Sequence, residues 1–492
     1  MDRPGCEKID HKNIVTYVYE ENSEYPDHED RYSPSERYPE YDGTVSSKNN
    51  HVYDMIRTGF FRMGLDRENY GTDSWNPLKD IITKGDSVLL KPNWVIDHNK
   101  EPVSHDMDCL VTHPSVLRAV LDYVVKALDG TGRIVVGDAP IQRCRLGELH
   151  DKMHYGTVWD HFKRIGVRIE VLDFRDVVAD YLNRIEVERN EGIQVNMGAV
   201  SAFDGLDPER MKKMRITNYP TFMMQEHHCP GKHEYYVHPE VLGADVIINL
   251  PKPKTHRMAG LTGCAKNFIG INCRKECLPH HTTGSPESGG DEYYKANRLH
   301  DISSRFMDIY NNKSYSGSKG SMIYLLISKF FFNAGRMTGG KFENGHWYAN
   351  DTIWRTIHDL NNIVEFADKN GTMTDTRQRK VLHICDMIVS GEKEGPLKPS
   401  PKHIGMIVMG SDAFISDYFV SKVFGFDPKK MKFLSASARV DDPSAVIVSD
   451  KDGNVLNADD VKYLPKWHLE PTSGWKGHLE SRTDRPEPGS EQ

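Results

Sequence analysis

The stretch ADVIINLPKPKTHRMAGLTGCAKNFIGIN (residues 244–272) decides how the chain is read. It opens with a short apolar run centred on Val246, Ile247 and Ile248, which reads as a buried strand. Lys252, Lys254, His256 and Lys266 follow, among glycines at 260, 263 and 270. In open parallel sheets, ligands bind outside the carboxyl ends of the strands. Ammonium and imidazole groups at the end of a core strand therefore suggest a binding edge.

The same pattern recurs on either side. VLLKPN (88–93) is an apolar run that ends in Lys91 and Asn93. HPSVLRAVLDYVVKAL (113–128) carries apolar residues on a helical period, with Pro114 suited to a first turn. RIVVGDAP (133–140) is a second strand, ending in Asp138; a helix near 151–165 and the strand VRIEVLDF (167–174) come next. VLHICDMIV (381–389) and HIGMIVMG (403–410) read as strands, and AFISDYFVSKVFGF (413–426) as a helix. Strands that alternate with helices predict an α/β fold: a mostly parallel sheet with helices on both faces. Residues 175–240 are less regular and predict an α+β insertion, and 293–372 read as mostly helical. The chain then divides into a polar, loosely ordered arm (1–50) packing through its tyrosines, an α/β region (51–463) and a surface tail (464–492).

With 492 residues, 38% hydrophobic and 27% charged, the chain can bury a large core. A net charge of −8, with lysines and arginines interspersed among acids, argues against a nucleic-acid partner. No run approaches the roughly 20 apolar residues of a membrane span. MDRPGCEKIDHKN at the start lacks the apolar core of a signal peptide. Eight cysteines are too sparse for a disulfide scaffold, so a reducing cytoplasm is the expected setting. The sequence assigns no oligomeric state.

Four strand ends carry the chemistry. Lys91, Lys254 and His256 are the candidate catalytic groups, lysine as a compact positive charge and histidine as a proton carrier tunable near neutrality. Asn93, Lys252, Lys266, Asn267 and Gly263 are candidates for substrate binding. The loop GLTGCAKNFIG (260–270) could turn backbone N–H groups toward an anion, although it matches no established phosphate-loop signature. Asp138, Asp386, Glu394 and His280 offer hard ligands for a divalent metal: magnesium, manganese, iron or zinc. Cys264, Cys273, Cys277 and His280 resemble a metal-binding run only in part, so an iron–sulfur cluster is not expected. GGDEY (289–293) precedes a helical pattern, with Asp291 and Glu292 expected in its first turn.

Taken together, KPNW (91–94), THPSVLRAVLDY (112–123), GDAP (137–140), ADVIINLPKPKTH (244–256), GLTGCAKNFIGIN (260–272), GEKEGPL (391–397), SDYFVSKVFGFD (416–427) and GWKGHLE (474–480) resemble the DUF362 family. The likeness runs from about residue 53 to 480, in the bacterial form without an appended ferredoxin-like domain. It implies no catalytic residues. The expectation is an enzyme acting on a small anionic substrate (phosphorylated, carboxylated or an activated sugar), assisted by lysines and a divalent metal. The alternatives are an iron-based redox protein and a non-catalytic binding or scaffold protein.

Overall fold

The computed structural model describes residues 14–179, 185–338, 342–440, 447–449 and 455–481. The protein is an α/β structure around one large, mostly parallel sheet. Five strands run parallel, in the spatial order Lys380–Glu394, Val246–Leu250, Ser87–Pro92, Arg133–Asp138 and Ile169–Asp173. Lys398–Gly410 adds antiparallel to Lys380–Glu394, and Ile14–Tyr19 adds antiparallel to Lys398–Gly410. The short strands Ile447–Ser449 and Val455–Asn457 complete that side.

Alternate residues of these strands supply different cores. Val88, Leu90, Ile134, Val136, Val246 and Ile248 pack under the helices His51–Arg62, Pro114–Leu128 and Tyr155–Arg164. Leu89, Val135 and Ile247 point the other way, toward the helix Ile353–Phe366. Cys385, Met387, Met406 and Val408 face Ala413–Val423 on that same side. Both faces are covered, so the central strands are apolar throughout rather than alternating with polar residues. The expected helix near 151–165 is two helices, Leu146–Lys152 and Tyr155–Arg164. The insertion forms small two- and three-stranded sheets, and Arg298–Tyr315, Met322–Met337 and Ile353–Phe366 supply the helical segment.

Both chain ends differ from expectation. Residues 1–13 lie outside the described residues, but Ile14–Tyr19 is an interior strand of the main sheet rather than part of a loose arm. The rest of the arm packs through its tyrosines as expected. Tyr25 stacks on His113 with ring centroids 4.0 Å apart, and Tyr38 and Tyr41 lie against Tyr53. The tail does not run over the surface from 464. Trp467, Leu469, Trp475 and Leu479 are buried in the core beneath Ala413–Val423, and Trp475 Nε1 donates to the carbonyl of Arg257 at 2.7 Å. Residues 482–492 lie outside the described residues.

Nor do Asp291 and Glu292 open a helix. Asp291 is buried, its carboxylate accepting from Thr282 N, Asp351 N and the Thr352 hydroxyl at 2.6–2.8 Å. The helix that follows starts at Arg298 under an Asn297 cap.

Removal of residues 1–20 therefore strips a strand from inside the sheet and bares one edge of Lys398–Gly410. Unpaired edges invite association. The truncated chain is expected in the insoluble fraction, with the full chain soluble, when the two are expressed side by side. Equal solubility and equal melting temperatures would show the strand to be dispensable.

Candidate functional site

The parallel register brings the predicted strand ends together. Asn249 lies beside Lys91 on one neighbouring strand and beside His383 on the other. One strand further on, Lys91 Nζ meets Asp138 Oδ1 at 2.7 Å, both side chains buried. Trp94 N donates to Asp138 Oδ2 at 2.7 Å, and Lys91 also donates to the Pro92 carbonyl at 3.0 Å. Burial lowers the Lys91 pKa, and the Asp138 charge opposes that shift. Gly270 closes over this pair. A Cβ there would stand 2.0 Å from Asp138 Oδ1 and 2.8 Å from Lys91 Nζ, so only glycine fits.

A second pair forms between Lys252 Nζ and Asp386 Oδ2, 2.6 Å apart and fully buried. The Tyr25 hydroxyl donates to Asp386 Oδ1 at 2.5 Å and accepts from Lys252 at 2.6 Å. His113 N donates to Asp386 Oδ2 at 2.8 Å. An N-terminal tyrosine thus completes a site whose other members come from the end of Val246–Leu250, the middle of Lys380–Glu394 and the N-cap of Pro114–Leu128.

Between the pairs runs a chain of amides. Lys254 Nζ donates to Asn93 Oδ1, Leu110 O and Lys252 O at 2.8–3.1 Å. Asn93 Nδ2 donates to Asn267 Oδ1 at 2.9 Å, and Asn267 Nδ2 to Asn249 Oδ1 at 2.7 Å. Asn249 Nδ2 ends the chain on His383 Nδ1 and the Cys264 carbonyl, both at 3.0 Å. Burial and the Lys252 charge push the Lys254 pKa down to about 7. Three acceptors nevertheless match the three protons of an ammonium, so Lys254 is a charged anchor of the network.

The metal ligands expected from sequence are not gathered. Asp138 and Asp386 are each saturated by a different lysine and by backbone N–H groups. Glu394 pairs with Arg257 at 3.1 Å and accepts from Ser473 N at 2.9 Å. The His280 imidazole hydrogen-bonds the Leu278 carbonyl through Nδ1 at 2.7 Å. Among the described residues no three His, Cys, Asp or Glu side chains are grouped to hold a metal. Cys264, Cys273 and Cys277 are buried thiols, with Cys264 Sγ 3.2 Å from Cys385 Sγ. Burial raises the pKa of Cys264, Cys273 and Cys277, which keeps them protonated.

The glycine loop is also filled from within. Asp417, on Ala413–Val423, accepts from Cys264 N at 2.6 Å and Ala265 N at 3.0 Å, capping the short helix Cys264–Asn267. A Cβ on Gly263 would lie 2.0 Å from Asp417 Oδ1. Gly263 makes room for a protein carboxylate, where the sequence reading placed a substrate anion. Burial, against those two N–H bonds, pushes the Asp417 pKa up to about 7.

Lys266 is different. It is half-buried, and among the described residues no acceptor or carboxylate engages its ammonium. Burial, reinforced by Lys275, pushes its pKa down to about 8. Two imidazoles, His256 and His280, are its electrostatic neighbours, and His346 neighbours both of them. His256 Nδ1 accepts from Met258 N and Ala259 N at 3.1 Å, which leaves the proton on Nε2. Burial first, then Lys266, His280 and His346, holds His256 neutral. Burial depresses His280 and His346 to about 4 each. The charges that weigh most on His256 and His280 after burial are thus cationic. His346 in turn feels the Arg257 cation and, more weakly, the Glu394 carboxylate.

The family model "Domain of unknown function (DUF362)" matches residues 88–422, which span both lysine–aspartate pairs, the amide chain and Lys266. The chain belongs to this family. No curated protein matches it. A crystal structure of a protein from Thermotoga maritima is similar at 10% identity, covering 78% of this chain and 59% of that one, with a TM-score of 0.27. That likeness carries no inference about the site. The DUF362 match includes His256 and His280 but ascribes no chemistry to them. Tyr25 lies before the matched span.

Lys91→Met leaves the Asp138 carboxylate buried without its cation, which costs about 3–5 kcal/mol. Urea unfolding is expected to show that loss, and Lys91→Met/Asp138→Leu to recover much of it. A single variant as stable as the parent would place the pair outside the stabilising framework.

Proposed function

We propose that the protein binds and acts on a small anionic molecule (phosphorylated, carboxylated or an activated sugar) at the cluster of Lys266, His256, His280 and His346. One observation carries the reading: Lys266 is a half-buried lysine without an internal counter-ion, set among imidazoles. A lone ammonium in a partly dry setting is unfavourable until an anion arrives. His256 would donate through Nε2–H. His280, whose Nδ1 proton is held by the Leu278 carbonyl, would receive a proton at Nε2 as the anion binds. Lys266, with its pKa near 8, is the group best poised to exchange a proton with the ligand.

Lys91, Lys252, Lys254, Asn93 and Asn267 support this site as framework. Their donors and acceptors are spent on internal partners: Asp138 for Lys91, Asp386 and Tyr25 for Lys252, and one another for Lys254, Asn93 and Asn267. A divalent cation enters the reading as a companion of the ligand's own phosphate, since Asp138 and Asp386 are committed to lysines. The seven described cysteines are all unpaired, in keeping with a cytoplasmic setting.

Inorganic pyrophosphate is a suitable first probe, by isothermal titration. Lys266→Met is expected to weaken it at least about tenfold with an unchanged circular dichroism spectrum. Lys266 is protonated below its pKa near 8, so affinity should hold at pH 7 and fall above pH 8. The limit is about tenfold per pH unit. Calorimetry in buffers of different ionisation enthalpy should show proton uptake. Equal affinity in Lys266→Met, or affinity that rises with pH, would refute the site.

A further inference from the structure

The helix Met322–Met337 stands outboard of the fold. It packs against Arg298–Tyr315 through Phe331 on Phe306 and through Ser303, whose hydroxyl donates to the Ser328 carbonyl at 3.0 Å. Gly335 lets the two helices close, since a Cβ there would meet the His300 ring at 1.9 Å. Its opposite face is bare. Met322, Ile323, Leu326, Phe330 and Met337 recur at helical spacing on one side, with Leu326 63%, Phe330 69% and Met337 89% exposed. Phe222 and Tyr315, rings 5.8 Å apart, add exposed apolar surface at the far end of Arg298–Tyr315. A contiguous apolar surface of this kind marks an interaction site.

Charge selects the occupant. Residues 309–338 contain Lys313, Lys319, Lys329 and Arg336 and not one Asp or Glu, although the whole chain carries −8. All four cations are exposed. A second copy seated on this face would bring two like-charged collars together, which is unfavourable. A surface of anionic lipid headgroups meets both requirements, accepting the apolar side chains below and the cations at its plane. The helix has 16 residues, so it is about 24 Å long and too short for the ~30 Å hydrocarbon layer. No helix among the described residues is long and apolar enough to cross a membrane. Lying on the surface is the geometry left to it.

We propose that the outer face of Met322–Met337, with Lys313, Lys319, Lys329 and Arg336, docks the protein on an anionic membrane surface. The face is separate from the Lys266 cluster, and its test does not depend on that site. The full chain is sedimented with vesicles of phosphatidylcholine alone and of phosphatidylcholine mixed equally with phosphatidylglycerol. Binding to the mixed vesicles is expected to be at least about tenfold stronger and to weaken with salt. Leu326→Ser/Phe330→Ser and Lys329→Glu/Arg336→Glu alter exposed side chains only, and each is expected to lower binding about tenfold at an unchanged melting temperature. Equal binding to the two kinds of vesicle, no binding to either, or binding unchanged in both variants would overturn the proposal. So would a dimer in light scattering that Leu326→Ser/Phe330→Ser dissolves, which would give the face to a second copy.

Discussion

The structure depends on keeping ammonium groups dry. Lys91, Lys252 and Lys254 are all fully buried at the carboxyl ends of the parallel strands. A buried lysine without compensation loses its proton or unfolds its surroundings. Here each is compensated differently: Lys91 by Asp138, Lys252 by Asp386 with Tyr25, and Lys254 by three neutral oxygens. The solution for Lys254 uses no net negative charge, and its acceptors belong to a chain of amides that also fixes Asn249 and His383. Shifting one strand by a residue would dissolve the whole arrangement. The polar network therefore specifies the register that the apolar residues, packed on both faces, specify only loosely.

This accounts for the uneven legibility of the sequence. The parallel strands could be read because a double-faced core demands unbroken runs such as VIINL and RIVV. Ile14–Tyr19 was missed because IVTYVY mixes threonine and tyrosine into a polar arm, and only its pairing with Lys398–Gly410 makes it interior. The tail was missed because Trp467, Leu469, Trp475 and Leu479 follow neither a period of 2 nor one of 3.6. They plug gaps between elements, and such plugs leave no periodic trace.

The site was legible in place and not in role. Placing Lys91, Asn93, Asp138, Lys252 and Lys254 at strand ends follows from the fold class; Asp386 lies inside Lys380–Glu394, which runs on past the expected strand end. Whether such a group faces a ligand or another side chain depends on what lies across from it. Asp417 comes from a helix some 150 residues later and takes the position that a cradled anion would have held. Tyr25 reaches Asp386 from 361 residues away. Nothing in the local pattern announces either partner. His346 carried no motif at all; Asn249 stood inside VIINL without an assigned role, although a polar residue there is itself a signal that something must satisfy it.

The contrast between Lys266 and its neighbours sharpens the functional argument. Lys91, Lys252 and Lys254 are each neutralised or satisfied by internal partners, and Lys266 is not. An acidic side chain near Lys266 would stabilise the free protein, and none weighs on its protonation. Proteins commonly forgo stability where a site must stay available for a ligand. The imidazoles beside it are held neutral rather than charged, so the cluster does not repel itself when empty and can gain positive charge when an anion binds. On the proposed reading, strength of binding would be tied to proton uptake, with the saturated lysines behind the cluster holding the backbone in place.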